Sequence, residues 1–159
     1  MIYLQLLFLI LVANGAPVMG HVVLRNHWAY PLDFGWRFFD GCPILGRSKT
    51  LRGVVLSIII TVFCGPLIGL SARTWLVVSV AAMFGDCLTS FTKRRLGRKS
   101  ESQVIGLDQV PESLFPLLAI RSTYHLEFLV ILIMVIIFVI LQLVLSRLVF
   151  YIHLRKHPY

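Results

Sequence analysis

The sequence predicts an all-α, polytopic integral membrane protein with about five transmembrane helices, its N-terminus outside and its C-terminus in the cytoplasm. Three observations predict it. Hydrophobic residues make up 58% of the chain and mean hydropathy is +0.86, above what a soluble domain of this length carries. Apolar runs long enough to cross a bilayer follow one another along the chain. Lys and Arg concentrate in alternate loops, as positive-inside topology requires. With 159 residues there is room for a single domain, 1–159.

The first run, Ile2 to Leu24, has no basic segment ahead of it and continues through NGAPVMG into further apolar sequence, so it reads as an uncleaved helix. Asn14 and Pro17 inside it offer a polar contact and a kink. The second, third and last runs are Val54 to Leu70, Trp75 to Phe91 and Leu126 to Ile152. Val110 to Ile120 is short and contains Pro116, and reads either as a short span or as a re-entrant segment. From Phe128 to Leu145 the side chains read as lipid contact or packing only.

Charge orients these elements. Arg25, Arg37, Arg47, Lys49 and Arg52 precede the second run, and Lys93, Arg94, Arg95, Arg98 and Lys99 follow the third. Loops at about 25–53 and 92–109 are therefore expected in the cytoplasm, facing anionic headgroups and phosphates. The connections at Ser71 to Thr74 and Arg121 to His125 carry only Arg73 and Arg121 and fit the outside. Five crossings then put Arg147, Arg155 and Lys156 inside. The net charge of +8 is spread over these loops and forms no single hydrophilic face, so no nucleic-acid partner is expected.

The loop HWAYPLDFGWRFFDGCPILGRSKTLRG is rich in helix breakers, and its Trp and Phe residues suit an interfacial belt. Asp33 and Asp40 read as turn residues, Asp40-Gly41 being a common turn pair. Cys42, Cys64 and Cys87 form no CxxC pair and suggest neither disulfides nor zinc. His153 and His157 share a helical spacing but read as an interfacial tail.

Chemistry concentrates between Gly85 and Glu112. On a helix, Asp86, Ser90 and Lys93 fall at i, i+4 and i+7, on one face near the cytoplasmic end. A carboxylate, a hydroxyl and an ammonium in that order suit a magnesium-bound polyphosphate. The plainer reading is a helix end with a snorkelling Lys and a paired Asp. Asp108 and Glu112 sit at i and i+4 where the short segment begins; both could complement its dipole, and Asp108 can face Asp86 across a hairpin as a second metal carboxylate. Lys49 and Arg52, between Gly46 and Gly53, can neutralise phosphate or merely hold the loop inside. Arg94, Arg95, Arg98 and Lys99 read as a topogenic, lipid-facing group of which one can touch substrate. No GxSxG or Walker A pattern occurs.

Taken together, PLDFGWRFFDGCPILGRSKTLRG, GDCLTSFTKRRLGRKS and LDQVPE resemble, in order, the signature blocks of the CDP-archaeol synthase family, and NGAPV resembles that family's first span. The resemblance implies a CTP-dependent cytidylyltransferase of the cell membrane with a cytoplasm-facing site. Using Mg²⁺, it would transfer CMP from CTP to a lipid phosphate, in archaea 2,3-bis-O-geranylgeranylglycerol 1-phosphate, and release pyrophosphate. It implies metal binding by Asp86 and Asp108, phosphate contacts from Lys49, Arg52, Lys93 and Arg94, and lesser substrate roles for Ser90 and Gln109. The family continues LDQ with an acid three positions after the Asp. Here that position is Pro111 and the acid is Glu112, which becomes the further metal candidate. Nothing in the sequence reads the acceptor's tails or the oligomeric state. The residues alone also admit a small transporter or assembly subunit with Asp86 and Asp108 as ion sites, which would have no use for the Lys49 and Arg52 cluster.

Overall fold

The computed structural model describes residues 1–24, 27–98 and 104–151, with side chains as far as Leu148. Six helices follow in these residues: α1 (Ile2–Leu24), α2 (Leu51–Leu67), α3 (Ala72–Arg95), α4 (Gln109–Ala119), α5 (Arg121–Tyr124) and α6 (Phe128–Tyr151). Three of them, α1, α3 and α6, are long and apolar enough to cross a membrane. The 17 residues of α2 are apolar but shorter. The 11 residues of α4 reach about 16 Å, roughly half of a bilayer's hydrocarbon thickness.

Helix α1 has the bounds its hydropathy predicts, but α2 and α3 each begin three residues before the apolar run does. The cause is capping. Thr50 accepts the Gly53 N–H through its hydroxyl at 3.2 Å, and Ser71 accepts the Thr74 N–H at 3.4 Å, so each helix starts inside polar sequence. At its other end α3 runs on to Arg95, four residues past Phe91. The connection expected at Arg121 to His125 is instead the helical turn α5, closed by His125 at φ 49°. Ile152, His153 and His157 lie outside the described residues.

Within lipid the helices gain little from apolar burial alone, so close packing and interhelical hydrogen bonds must hold them together. Leu6, Leu9 and Ile10 of α1 meet Val78, Leu117 and Phe138 of α3, α4 and α6 in one buried cluster. The Ser57 hydroxyl of α2 donates to the Ala13 carbonyl of α1 at 2.6 Å. At Gly85 α3 comes up against the backbone of α4, since a Cβ there would stand 2.4 Å from the Pro111 carbonyl oxygen. Only glycine fits.

The loop before α2 folds on its own turn chemistry, with isolated bridges at Pro31–Thr50 and Arg37–Pro43. Asp40 accepts the Cys42 N–H at 2.9 Å, as the turn reading expects. Asp33 gathers three backbone donors: Gly35 at 3.0 Å and Leu45 and Gly46 at 2.9 Å each. Trp36 and Phe39 stay exposed. Burial raises the Asp33 pKa, but the N–H groups of Gly46, Leu45 and Gly35 outweigh it and hold the carboxyl below its ordinary 3.8. A pKa depressed on folding gives stability that is complete above the unfolded value and lost as pH falls through the folded one. Amide exchange at Leu45 and Gly46, corrected for intrinsic rates, is therefore expected to accelerate below the ordinary Asp range. In Asp33→Asn it should already be fast at neutral pH. Equal protection of these amides in both proteins would contradict this.

Candidate active site

The close approach at Gly85 lets α3 bring Asp86, the next residue, against the start of α4. Asp86 forms an ion pair with Lys49, which enters from the loop just ahead of α2. Two turns further along α3, Lys93 pairs with Asp108 at 2.9 Å. The Glu112 carboxyl reaches that of Asp86, and Glu112 is only 7% exposed. Three acids and two ammonium groups from the loop, α3 and α4 thus share one polar region inside an apolar protein. Charges so placed are tolerated when they are paired.

Burial alone would lower the Lys49 pKa; Asp86, through its charge and its hydrogen bond, more than reverses this, and Glu112 adds to the effect. The ammonium is therefore held charged. Asp108 occupies the N-cap position of α4 but makes no capping bond. Its Oδ2 accepts the Val104 N–H at 2.9 Å, while Lys93 takes the other oxygen. Dipole complementation alone does not describe it. Thr89 fastens the segment between, donating to Gly85 and Leu107 carbonyls at 3.0 and 3.1 Å.

The other expected site residues are all buried. Ser90 lies one turn from Asp86 on α3. Arg52 hydrogen-bonds to the His27 carbonyl oxygen. Gln109 accepts the Gly106 N–H at 2.8 Å through its amide oxygen, bracing the turn before α4. Among the described residues no three His, Cys, Asp or Glu side chains gather around one metal position.

The basic group that spans the end of α3 is not uniformly lipid-facing, contrary to what its composition suggested. Arg94 is buried, and Arg98 is exposed. Arg95 folds back on the loop: its guanidinium pairs with Asp40 at 2.8 Å, donates to the Pro43 carbonyl at 2.7 Å, and stands 4.8 and 4.9 Å from the ring centres of Phe38 and Phe91. Lys99 lies outside the described residues. The planar fork and the two rings make this an arginine site. Arg95→Lys is expected to release the loop almost as fully as Arg95→Ala, with roughly tenfold faster proteolysis between Trp36 and Pro43. Wild-type resistance in Arg95→Lys would mean that charge alone suffices.

Two polar contacts of the site come from helices read mainly as membrane packing. Asn14 of α1 donates to the Ile10 carbonyl at 2.9 Å and reaches that of Glu112 at 3.5 Å, so its expected polar contact exists. Gln142 of α6 was missed. Its amide donates to Oε2 of Glu112 at 3.1 Å. The available signal was a single amide in a long apolar run, where polar side chains are costly.

A family pattern described as CarS-like, CDP-archaeol synthase, matches residues 1–159. The chain is 36% identical over 118 residues to CDP-archaeol synthase of Pyrobaculum arsenaticum, covering 71% of this chain and 70% of that one. To the CDP-archaeol synthase of Pyrobaculum islandicum it is 31% identical over 156 residues, covering 93% and 92%. A solved structure described as an intramembrane enzyme for archaeal membrane lipids biosynthesis has the same fold, with TM-score 0.77 at 24% identity over 89% of this chain and 90% of that chain.

Proposed function

The chain belongs to the CarS-like family of CDP-archaeol synthases, and from that membership we propose that it transfers CMP from CTP to a lipid glycerol phosphate of the archaeal isoprenoid ether type. A phosphate oxygen of the lipid forms a bond to the α-phosphorus of CTP, the bond from that phosphorus to the bridging oxygen breaks, and pyrophosphate leaves. CDP-lipid is the other product. Membership in an enzyme family sets aside the transporter reading of the same acids.

One observation carries this reading: two ammonium–carboxylate pairs, Lys49 with Asp86 and Lys93 with Asp108, stand together where the loop, α3 and α4 meet. Phosphoryl-group chemistry asks a protein mainly to position anions and neutralise charge. Lys49, Arg52, Lys93 and Arg94 do this for the triphosphate and the lipid headgroup, with Ser90 and Gln109 shaping the walls. The donor chemistry fits Mg²⁺, which takes one or two carboxylates and completes its shell with phosphate and water. Asp86 with Glu112, and Asp108 beside Lys93, would hold it. When bound, Mg²⁺ supplies charge neutralisation at the phosphates and an in-line template.

The basic loops at about 25–53 and 92–109 support a site at the cytoplasmic surface, in a topology of five membrane segments with α4 as the short one and the N-terminus outside. An apolar groove of about 480 Å³ lies along α3 and α4, lined by Leu76, Val80, Ala81, Phe84, Phe115 and Ala119. It takes an acceptor hydrocarbon chain. Ala81→Trp fills it and is expected to raise the KM for a long-chain acceptor roughly tenfold, the loss of a few methylene contacts, with the KM for CTP unchanged. Equal KM values for the acceptor would remove the groove from substrate binding.

The test of the function is purified protein with CTP, Mg²⁺ and either an isoprenoid ether or an acyl ester lipid phosphate, with products read by mass spectrometry. CDP-lipid and pyrophosphate in equal amounts are expected with the ether acceptor. No CDP-lipid from either acceptor would overturn the assignment.

A further inference from the structure

Helix α6 is apolar from Phe128 to Leu145 except at Gln142. Fourteen residues into the helix, that amide lies about 21 Å along the axis from Phe128, and it meets the one acid of α4. The two residues are 30 apart in sequence. Neither the position nor the partner follows from lipid contact, because an amide facing hydrocarbon loses its hydrogen bonds to water and must regain them within the protein.

Glu112 is held from three sides. Asn14 of α1 reaches its backbone carbonyl at 3.5 Å, Gln142 of α6 donates to Oε2 at 3.1 Å, and its carboxyl meets Asp86 of α3. A glutamate side chain has three rotatable bonds, and fixing them costs about 1.5–2 kcal/mol of rotamer entropy. The donor on Oε2 selects the arrangement in which the carboxyl lies against Asp86. Without it, Glu112 loses the hydrogen bond that ties its carboxyl to α6, and Asp86 and Lys49 lose a fixed neighbour.

We propose that Gln142 is a positioning residue of the active site: through its hydrogen bond to Glu112 it fixes that carboxyl against Asp86, and so makes α6 part of the catalytic unit. This rests on the cytidylyltransferase reading, because the acids it orders are those assigned to the reacting phosphates and their metal. It also gives Glu112, which stands one residue beyond Pro111, a support from a helix outside the loop, α3 and α4.

A double-mutant cycle tests it, with Gln142→Leu, Glu112→Ala and the double variant in detergent-solubilised full-length protein. Four readouts are taken: kcat, the KM for CTP, the thermal midpoint and Mn²⁺ binding. Gln142→Leu is expected to lower kcat roughly tenfold, the worth of one hydrogen bond to an acid, with the KM for CTP within about twofold. In the Glu112→Ala background the same change should cost nothing further, because the group it orients is gone. Mn²⁺ binding followed by electron paramagnetic resonance should weaken in Gln142→Leu and not weaken again in the double variant.

Simple glue between helices would instead lower the thermal midpoint and reduce activity equally in both backgrounds, and that additive result overturns the proposal. Unchanged kcat and unchanged Mn²⁺ binding in Gln142→Leu overturns it as well. A wild-type protein that makes no CDP-lipid refutes the underlying reaction instead, an outcome that a failed cycle in an active enzyme does not resemble.

Discussion

Asp86→Asn is expected to lower CMP transfer by about 10²- to 10³-fold, the range lost when one preorganised electrostatic group is removed from a reacting centre. The substitution keeps the shape and removes the charge. Lys49 then loses the carboxylate that holds it charged, and Glu112 loses its neighbour on α3. Since Lys49 is itself assigned to the triphosphate, the loss appears in kcat more than in the KM for CTP. Asp108→Asn should behave likewise through Lys93, to which it is paired at 2.9 Å. Initial rates with labelled CTP check both. Lipid-linked CMP forming at wild-type rate in both variants would remove the metal and phosphate roles assigned to these acids.

Gly85→Val is the second large effect. A Cβ at residue 85 would meet the Pro111 carbonyl oxygen at 2.4 Å, the Pro111 carbonyl carbon at 2.7 Å and the Glu112 nitrogen at 3.0 Å. All are backbone atoms of α4, so no side chain can swing aside. The helices must separate. Overpacking of this kind costs about 1–3 kcal/mol, and it displaces Asp86 from Glu112 at the point where the site needs them closest. A lower thermal midpoint and near-complete loss of transfer are expected, with Gly85→Ala intermediate. Wild-type midpoint and rate in Gly85→Ala would show that α3 and α4 have slack at this contact.

The sequence made the helical skeleton legible because hydropathy reports lipid contact directly: α1 has the expected bounds, and α6 starts two residues from where its run begins. Polar starts escaped that signal, since Thr50 and Ser71 cap helices through hydroxyl contacts that hydropathy scores as interruption. The i, i+4, i+7 spacing of Asp86, Ser90 and Lys93 placed them on one helix, but their partners come from elsewhere. Lys49 is 37 residues from Asp86, and Arg95 is 55 from Asp40. Pairings over such distances depend on how the loop folds, which turn residues such as Asp33 decide locally and no periodicity records. Gln142 illustrates the same limit: an apolar background made its helix obvious and its one polar contact easy to overlook.

The most direct measurement is the fate of label from CTP carrying ³²P at either the α or the γ phosphate, incubated with the purified protein, Mg²⁺ and an ether lipid phosphate. Displacement at the α-phosphorus predicts label in the lipid fraction from α-labelled CTP and none from γ-labelled CTP, with the α-derived signal about 10²- to 10³-fold slower to appear in Asp86→Asn. Label reaching lipid from the γ position, or from neither, would contradict it.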